Sequence, residues 1–115
     1  MACAEDIEQI VVIEFLRQTT DIPVIHIANQ RSTSPQHGAM LKRMGLWAGA
    51  ADLFFPRGND KYKGMFIELK TLTGKPTRNQ INFLDSMACE GFFTAINYGS
   101  KEAIETIKTF YNLPK

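Results

Sequence analysis

Two charged side chains inside an apolar run constrain the fold of this chain more than any other feature. The segment from Phe66 to Lys70 is apolar except at Glu68 and Lys70. Alternate residues of a β-strand point to the same face, so these two side chains project side by side if the segment is a strand. Burying two charges is costly unless they pair with each other or bind an ion. The segment therefore predicts a buried strand with either a simple Glu–Lys pair or a functional site.

A third charged residue precedes a second apolar run. Asp52 is followed by Leu-Phe-Phe-Pro, and turn-forming residues between 57 and 64 separate this run from the one that contains Glu68. This pattern predicts the two strands of a hairpin. The hairpin would bring two carboxylates together, as Mg²⁺ sites require, and would place an ammonium beside them. That ammonium could orient a water molecule or neutralise charge on a phosphate, so the order Asp, then Glu-x-Lys, is typical of a metal-dependent phosphodiesterase.

Length and composition predict one soluble domain over residues 1–115. The chain has 44% hydrophobic and 22% charged residues, which is ordinary for a globular protein. It contains no secretory signal and no apolar run of membrane-spanning length, so we expect a cytoplasmic protein that does not contact membranes. Cys3 and Cys89 lack the spacing of metal ligands, and we expect reduced thiols with Cys89 in the core.

The charge is unevenly distributed along the chain. Residues 30–80 contain nine basic and three acidic residues, a net charge of +6, whereas the remainder has a net charge of −5. Basic charge therefore gathers around the predicted hairpin, as phosphate binding would require. The alternative is an ordinary solvated surface.

Periodicity and capping signals predict four helices and four strands in the order α-β-α-β-β-α-β-α. The first helix spans 4–18, and a strand follows at 23–28. The apolar face predicted for this helix consists of Ile7, Ile10, Val11, Ile13 or Phe15, and Leu16. Ser34 and Ser100 are expected N-caps, and Thr77 with Gln80 matches a capping box. The order predicts an α/β domain with a mixed sheet flanked by helices, although it leaves the strand order open.

Over nearly its whole length, the chain resembles the PD-(D/E)xK nuclease superfamily and, within it, the virus-type replication-repair nuclease (VRR-NUC) domain. The resemblance rests on an acidic first helix, Gly49-Ala-Ala-Asp-Leu53, Gly64-Met-Phe-Ile-Glu-Leu-Lys70, Thr77-x-x-Gln80 and Gly91-Phe-Phe. One position departs from the family pattern, because Ala51 stands where a proline is expected. That position shapes the backbone and supplies no ligand.

The resemblance implies a restriction-endonuclease-like fold with a central sheet of about four strands, and it implies a role for each site residue. Asp52, Glu68, the Leu69 carbonyl and Glu5 would hold Mg²⁺, for which Mn²⁺ would substitute. Lys70 would act on the attacking water. The family glutamate lies four residues before a glutamine, which selects Glu5 over Glu8. Gln80 would join the active site, cap its helix, or do both.

The resemblance also implies a homodimeric endodeoxyribonuclease that acts on branched DNA such as Holliday junctions, in the host cytoplasm if a phage encodes it. Two alternatives stay open: a nuclease that nicks flaps or duplexes, and a non-catalytic DNA-binding subunit with a nuclease fold. We expect His26 to make local hydrogen bonds and Trp47 to be partly buried. The candidate DNA contacts are Asn29, Arg31, Lys42, Arg43, Lys75 and Arg78.

Overall fold

Four helices and four strands follow one another in the predicted order in the computed structural model, which describes residues 3–28 and 34–115. The elements are α1 (Ala4–Thr19), β1 (Ile25–His26), α2 (Pro35–Arg43), β2 (Leu53–Phe55), β3 (Met65–Lys70), α3 (Arg78–Cys89), β4 (Phe93–Tyr98) and α4 (Ser100–Tyr111). The predicted α/β architecture is confirmed. The first strand is shorter than predicted, because only two of its residues pair with β2.

The sheet has the strand order β1-β2-β3-β4. The β1–β2 and β2–β3 pairs are antiparallel, and β4 lies parallel to β3 after the crossover through α3. The predicted hairpin of β2 and β3 is confirmed, with Leu53 opposite Ile67. This register places Asp52, which immediately precedes β2, beside the end of β3 that carries Glu68 and Lys70.

Helices cover both faces of β3, and every residue of that strand is buried. Helices α1 and α4 pack on the face that contains Leu53, Phe55, Met65, Ile67 and Leu69. Helix α3 packs on the other face through Phe83 and Leu84, which contact Phe66. A strand covered on both faces is expected to be apolar throughout, so the two charges in β3 stand out as exceptions.

The apolar face predicted for α1 is correct at Leu16, Ile13 and Phe15, which are buried or pack against the core, but wrong for its other three residues. Val12 and Leu16 are the buried residues of this helix, whereas Ile7, Ile10 and Val11 are between 41% and 53% exposed. The helix has two apolar stripes, and the stripe that faces the sheet continues toward the N-terminus through Glu8 and Glu5. The carboxylates of Glu5 and Glu8 are therefore half-buried and turned toward the protein, whereas the other apolar stripe faces solvent.

Two of the three predicted caps are confirmed. The Ser34 hydroxyl accepts a hydrogen bond from the His37 N–H, and Thr77 and Gln80 form a reciprocal capping box. Ser100 is the first residue of α4, and Gly99 occupies the N-cap position. The core placement of Cys89 is also wrong, since this residue is exposed in the last turn of α3.

A close approach of two backbones joins the loop before Asp52 to the start of α3. Gly49 has a φ of +87°, and a Cβ atom there would lie 2.5 Å from the carbonyl carbon of Asn79. Glycine therefore meets both the conformational and the steric requirement of this position. Trp47 lies on the same loop, 48% exposed, with its ring edge packed against Phe83, as the expectation of partial burial required.

Helix α2 differs from the other helices in its surroundings. None of its residues is buried, and it packs against no other helix or strand among the residues that the structure describes. Within the same residues, no helix is long and apolar enough to cross a membrane.

Candidate active site

Asp52 is held against the end of β3 by a backbone hydrogen bond. The Leu69 N–H donates to Asp52 Oδ2 over 2.8 Å. Both backbone groups of a strand residue point to the same side, so the Leu69 carbonyl also lies on the Asp52 side of β3. Leu69 has no partner in β2, because β2 begins at Leu53, which lies opposite Ile67. The hairpin therefore leaves one carboxylate and one carbonyl oxygen at its open end.

Glu68 and Lys70 project from the same face of β3, with 2% and 9% of their surfaces exposed. Lys70 Nζ lies 3.8 Å from Glu68 Oε2, and the Gln80 side-chain amide donates to the same oxygen over 3.1 Å. The other oxygen, Oε1, is buried and has no hydrogen-bond partner. A buried carboxylate oxygen without a partner is costly, so this atom suits a ligand such as a metal ion.

Glu5 completes a cluster of carboxylates. One carboxylate oxygen from each of Glu5, Asp52 and Glu68 lies within 4.8 Å of the other two. Glu5 reaches this position because it lies on the stripe of α1 that faces the sheet. Three hard oxygen donors at this spacing fit a divalent cation such as Mg²⁺, and the partnerless Glu68 Oε1 supports the same fit.

The cluster is electrostatically strained without a cation. The pKa of Glu68 is raised to about 8, chiefly because the residue is buried; the negative charges of Asp52 and Glu5 add to the increase, and Lys70 opposes it. Ionised Glu68 is therefore disfavoured near neutral pH. A bound cation would reverse this effect, because it stabilises the charged form of each carboxylate.

Gln80 combines the two roles that the sequence left open. Its side-chain oxygen accepts from the Thr77 N–H over 2.8 Å, which completes the capping box. Its side-chain NH₂ donates to Glu68. One amide thus begins helix α3 and orients a carboxylate of the cluster. The close approach at Gly49 supports this placement, since it contacts the backbone at Asn79 and Gln80.

Glu8, the alternative to Glu5, lies away from the three-carboxylate cluster. Its carboxylate accepts hydrogen bonds from the Ser100 N–H and hydroxyl, each over 3.2 Å. Because Ser100 begins α4, Glu8 supplies a hydrogen-bond acceptor for an N–H group at the N-terminus of that helix. Its negative charge also stabilises this end of the helix. Sequence reasoning missed this contact. The sequence does contain one signal for this contact. Gly99, the residue before Ser100, has no side chain to cap α4, so another residue must do so.

A second contact missed from the sequence involves His26. Its Nδ1 lies 3.1 Å from the Gln9 side-chain nitrogen and 3.3 Å from the Asp52 carbonyl oxygen. The Ile27 N–H donates to that same carbonyl. Gln9 and β1 thereby support the backbone at Asp52, and His26 contacts distant segments of the chain instead of making the local hydrogen bond expected of it.

The candidate DNA contacts lie on several segments. Lys42 and Arg43 are exposed at the C-terminal end of α2, while Lys75 and Arg78 are exposed between β3 and the first turn of α3. The last two lie on the segment that joins Lys70 to Gln80. Asn29 and Arg31 fall outside the described residues.

Removing the charge of Glu68 should change how stability depends on pH when no metal is present. A carboxyl group whose pKa is about 8 when folded and 4.5 when unfolded stabilises the fold fully below pH 4.5, and this contribution is lost as pH rises toward 8. Glu68→Gln resembles the protonated form. In EDTA, we expect its unfolding free energy to exceed the wild-type value at pH 8 by on the order of a few kcal/mol, and the excess to shrink toward pH 5.

Urea denaturation at several pH values would measure this difference. Glu90→Gln, a change at an exposed acid on the C-cap of α3, is the control and should follow the wild type throughout. A constant difference between Glu68→Gln and wild type from pH 5 to pH 8 would contradict the electrostatic account.

Comparisons with known proteins identify the fold. No protein-family model matches the chain, and no curated protein matches it either. Among solved structures, a protein described as a VRR_NUC domain protein matches with a TM-score of 0.83 and 24% sequence identity, over 100% of this chain and 93% of that chain. The chain therefore has the restriction-endonuclease-like fold of a VRR-NUC domain.

Proposed function

We propose that this protein is a Mg²⁺-dependent, structure-specific endodeoxyribonuclease that cleaves branched DNA such as Holliday junctions. The observation that carries the proposal is the group of Glu5, Asp52 and Glu68 within 4.8 Å, with Lys70 buried beside it. The similarity to a VRR_NUC domain protein supports the same activity. Both the Mg²⁺ ion and the preference for branched substrates are parts of the proposal.

Each residue of the site has a role in this proposal. Asp52, Glu68 and Glu5 would hold the cation with the Leu69 carbonyl, and Mn²⁺ would replace Mg²⁺ because it accepts the same oxygen ligands. When bound, the ion supplies Lewis acidity toward the phosphate and lowers the pKa of a bound water. Lys70 orients the attacking water and offsets negative charge that develops on the phosphate. Gln80 holds Glu68 in position through its 3.1 Å hydrogen bond.

The exposed lysines and arginines supply the DNA contacts. Lys42, Arg43, Lys75 and Arg78 form no ion pair among the described residues, so their charges are available to phosphates. In the sequence, Lys75 and Arg78 lie between Lys70 and Gln80, which both contact Glu68. Asn29 and Arg31 are retained as proposed contacts from the sequence alone.

The homodimer is also a proposal, and the interface that we propose for it is the exposed face of α1. The apolar C-terminal residues Phe110, Tyr111 and Leu113 are not available for it, because they belong to the monomer's own core or pack against it. Helix α1 instead presents Ile7, Ile10 and Val11 on one exposed face. An apolar stripe of this kind on a surface helix is suited to a partner. Two active sites related by two-fold symmetry could cut the two strands of a junction in one encounter.

Two other functions are weaker alternatives. A nuclease that nicks flaps or duplexes would use the same site and differ only in its substrate. A non-catalytic DNA-binding subunit is harder to reconcile with the structure, because binding alone requires no group of mutually repelling carboxylates with a pKa raised to about 8 at Glu68.

Cleavage should require both the cation and the cluster. We expect Asp52→Asn, Glu68→Gln and Lys70→Ala each to reduce Mg²⁺-dependent cleavage by roughly 100-fold or more, since each removes a group that acts on the reacting phosphate. Labelled four-way, flap, single-stranded and duplex DNAs, with Mg²⁺ or EDTA, would measure activity and substrate preference together.

Metal titration separates the roles within this set. Asp52→Asn and Glu68→Gln should weaken Mn²⁺ binding, whereas Lys70→Ala should retain it and lose cleavage. Glu90→Gln, at the exposed C-cap of α3, is the control and should behave as wild type. Efficient cleavage by Asp52→Asn in Mg²⁺ would exclude the proposed site.

DNA binding should depend on salt through the exposed basic residues proposed as phosphate contacts. In Ca²⁺, affinity for a four-way junction should fall steeply with salt, and each lost phosphate contact should flatten the slope of log K against log [salt] by about 0.9. We expect this change for Lys42→Ala, Arg43→Ala and Arg78→Ala. Lys108→Ala on α4 is the control, and an equal effect from all four would show that these residues make no specific phosphate contact.

The dimer should be disrupted by a charge on the exposed face of α1. We expect a solution mass near twice 13.0 kDa for the wild type, and a monomer for Ile10→Glu because burying a carboxylate in an apolar interface is costly. Light scattering coupled to gel filtration would measure both. Leu72→Glu, at an 84% exposed position outside this stripe, should leave the mass unchanged. A wild-type protein that is monomeric with and without DNA would exclude the dimer.

A further inference from the structure

Strand β4 forms one edge of the sheet, and its outer side has unused hydrogen-bonding groups. On its inner side, the N–H groups of Phe93 and Gly99 donate to carbonyls of Gly64 and Lys70 next to β3. Alternation along the strand therefore turns Thr94 and Ile96 outward. Neither has a hydrogen-bond partner for its outward groups among the described residues. The next outward group, the Tyr98 N–H, donates to Glu102 and ends the open stretch.

Two grooves run beside this open edge, one on each face of the sheet. The groove on the α4 face has a volume of about 420 Å³, and its walls include Tyr62, Phe93, Phe110, Glu102 and Glu105. It combines aromatic rings with two carboxylates, which is the chemistry that binds ammonium and guanidinium groups.

The groove on the α3 face is smaller, about 220 Å³. Its walls include Ile81, Leu84 and Ile96, with Asp85 as its charged group. Neither groove is lined by a lysine, arginine or histidine. The edge therefore has a negative environment, in contrast to the basic segment that carries Lys75 and Arg78.

We propose that the outer edge of β4 is a docking site for an extended segment of a partner protein in which basic and apolar residues alternate. The segment would add a fifth strand to the sheet through the N–H and C=O groups of Thr94 and Ile96. Successive side chains of a strand point to opposite faces. Lysine or arginine would thus enter the groove with Glu102 and Glu105, while the apolar residues would enter the groove with Ile81 and Leu84.

The charge of the edge selects this occupant over two others. DNA would be repelled by Glu102, Glu105 and Asp85. A second copy of this chain, paired edge to edge through β4, would bring the same three carboxylates of both copies together, and like charges across paired strands are destabilising. A basic strand gains from both grooves and satisfies the open backbone groups. The site lies apart from the carboxylate cluster, so it does not depend on the nuclease proposal.

A synthetic peptide of about eight residues, with lysine and valine alternating, is the probe for this site. Fluorescence polarisation of the labelled peptide should show saturable binding to the wild-type protein. On binding, amide hydrogen exchange at Thr94 and Ile96 should slow, because their N–H groups become hydrogen-bonded. A peptide that alternates lysine and proline keeps the charge but cannot pair as a strand, and we expect it to bind at least ~10-fold more weakly.

Matched charge reversals locate the contact. Glu105→Lys should weaken the lysine–valine peptide by ~10-fold or more, since it places a positive charge in the groove. Glu90→Lys makes the same change in net charge at the exposed C-cap of α3, which lines neither groove, and should alter affinity by less than ~2-fold. Glu105 and Glu90 are both exposed, and neither side chain makes a hydrogen bond or ion pair with the described residues, so both variants should fold.

Four results would each overturn the proposal. They are no binding of the lysine–valine peptide, equal weakening by Glu105→Lys and Glu90→Lys, equal binding of the lysine–proline peptide, and binding without slower exchange at Thr94 and Ile96. Slower exchange that grows with protein concentration alone would instead assign the edge to a second copy of the chain. Folding of each variant is checked by its thermal unfolding.

Discussion

The hydrogen bond from the Leu69 N–H to Asp52 connects the architecture of this protein to its candidate chemistry. Strand β3 extends past Leu53, the first residue of β2, so the Leu69 N–H needs a hydrogen-bond acceptor from outside that strand. Asp52 supplies one with its side chain and is fixed beside the charged end of the buried strand. Without this contact, the carboxylate would move freely at the head of a loop. The cluster with Glu5 and Glu68 depends on its position.

The surrounding elements hold that point from several directions. Gln80 restrains Glu68, the Gln9–His26 pair lies against the Asp52 backbone, and Glu8 ties α1 to the start of α4. Each contact uses a polar group at the end of a helix or strand, where backbone groups lack their usual partners. The arrangement keeps carboxylates together despite their repulsion, which is the requirement of a divalent metal site.

Much of this site could be predicted because it is local in sequence. The alternation in β3 identified Glu68 and Lys70 as neighbours, and the capping box identified Gln80. The resemblance to a known family added Glu5, which periodicity alone would not have separated from Glu8. Contacts between distant segments could not be predicted: the Glu8–Ser100 hydrogen bonds join residues 92 positions apart. The buried face of α1 was also misjudged, because the helix has two apolar stripes and only tertiary packing decides between them. Cys89 was misplaced for the same reason.

The backbone contact at Gly49 limits how this domain can be re-engineered. The loop before Asp52 and the first turn of α3 touch without any side chain between them, so a substitution at Gly49 would push apart the two segments that carry Asp52 and Gln80. Libraries that aim to change substrate choice should therefore leave this position unvaried. Leu72 and Lys75 are better targets, because they are exposed on the loop between β3 and α3. The chain thus separates a part that tolerates no variation from a neighbouring part that is open to selection.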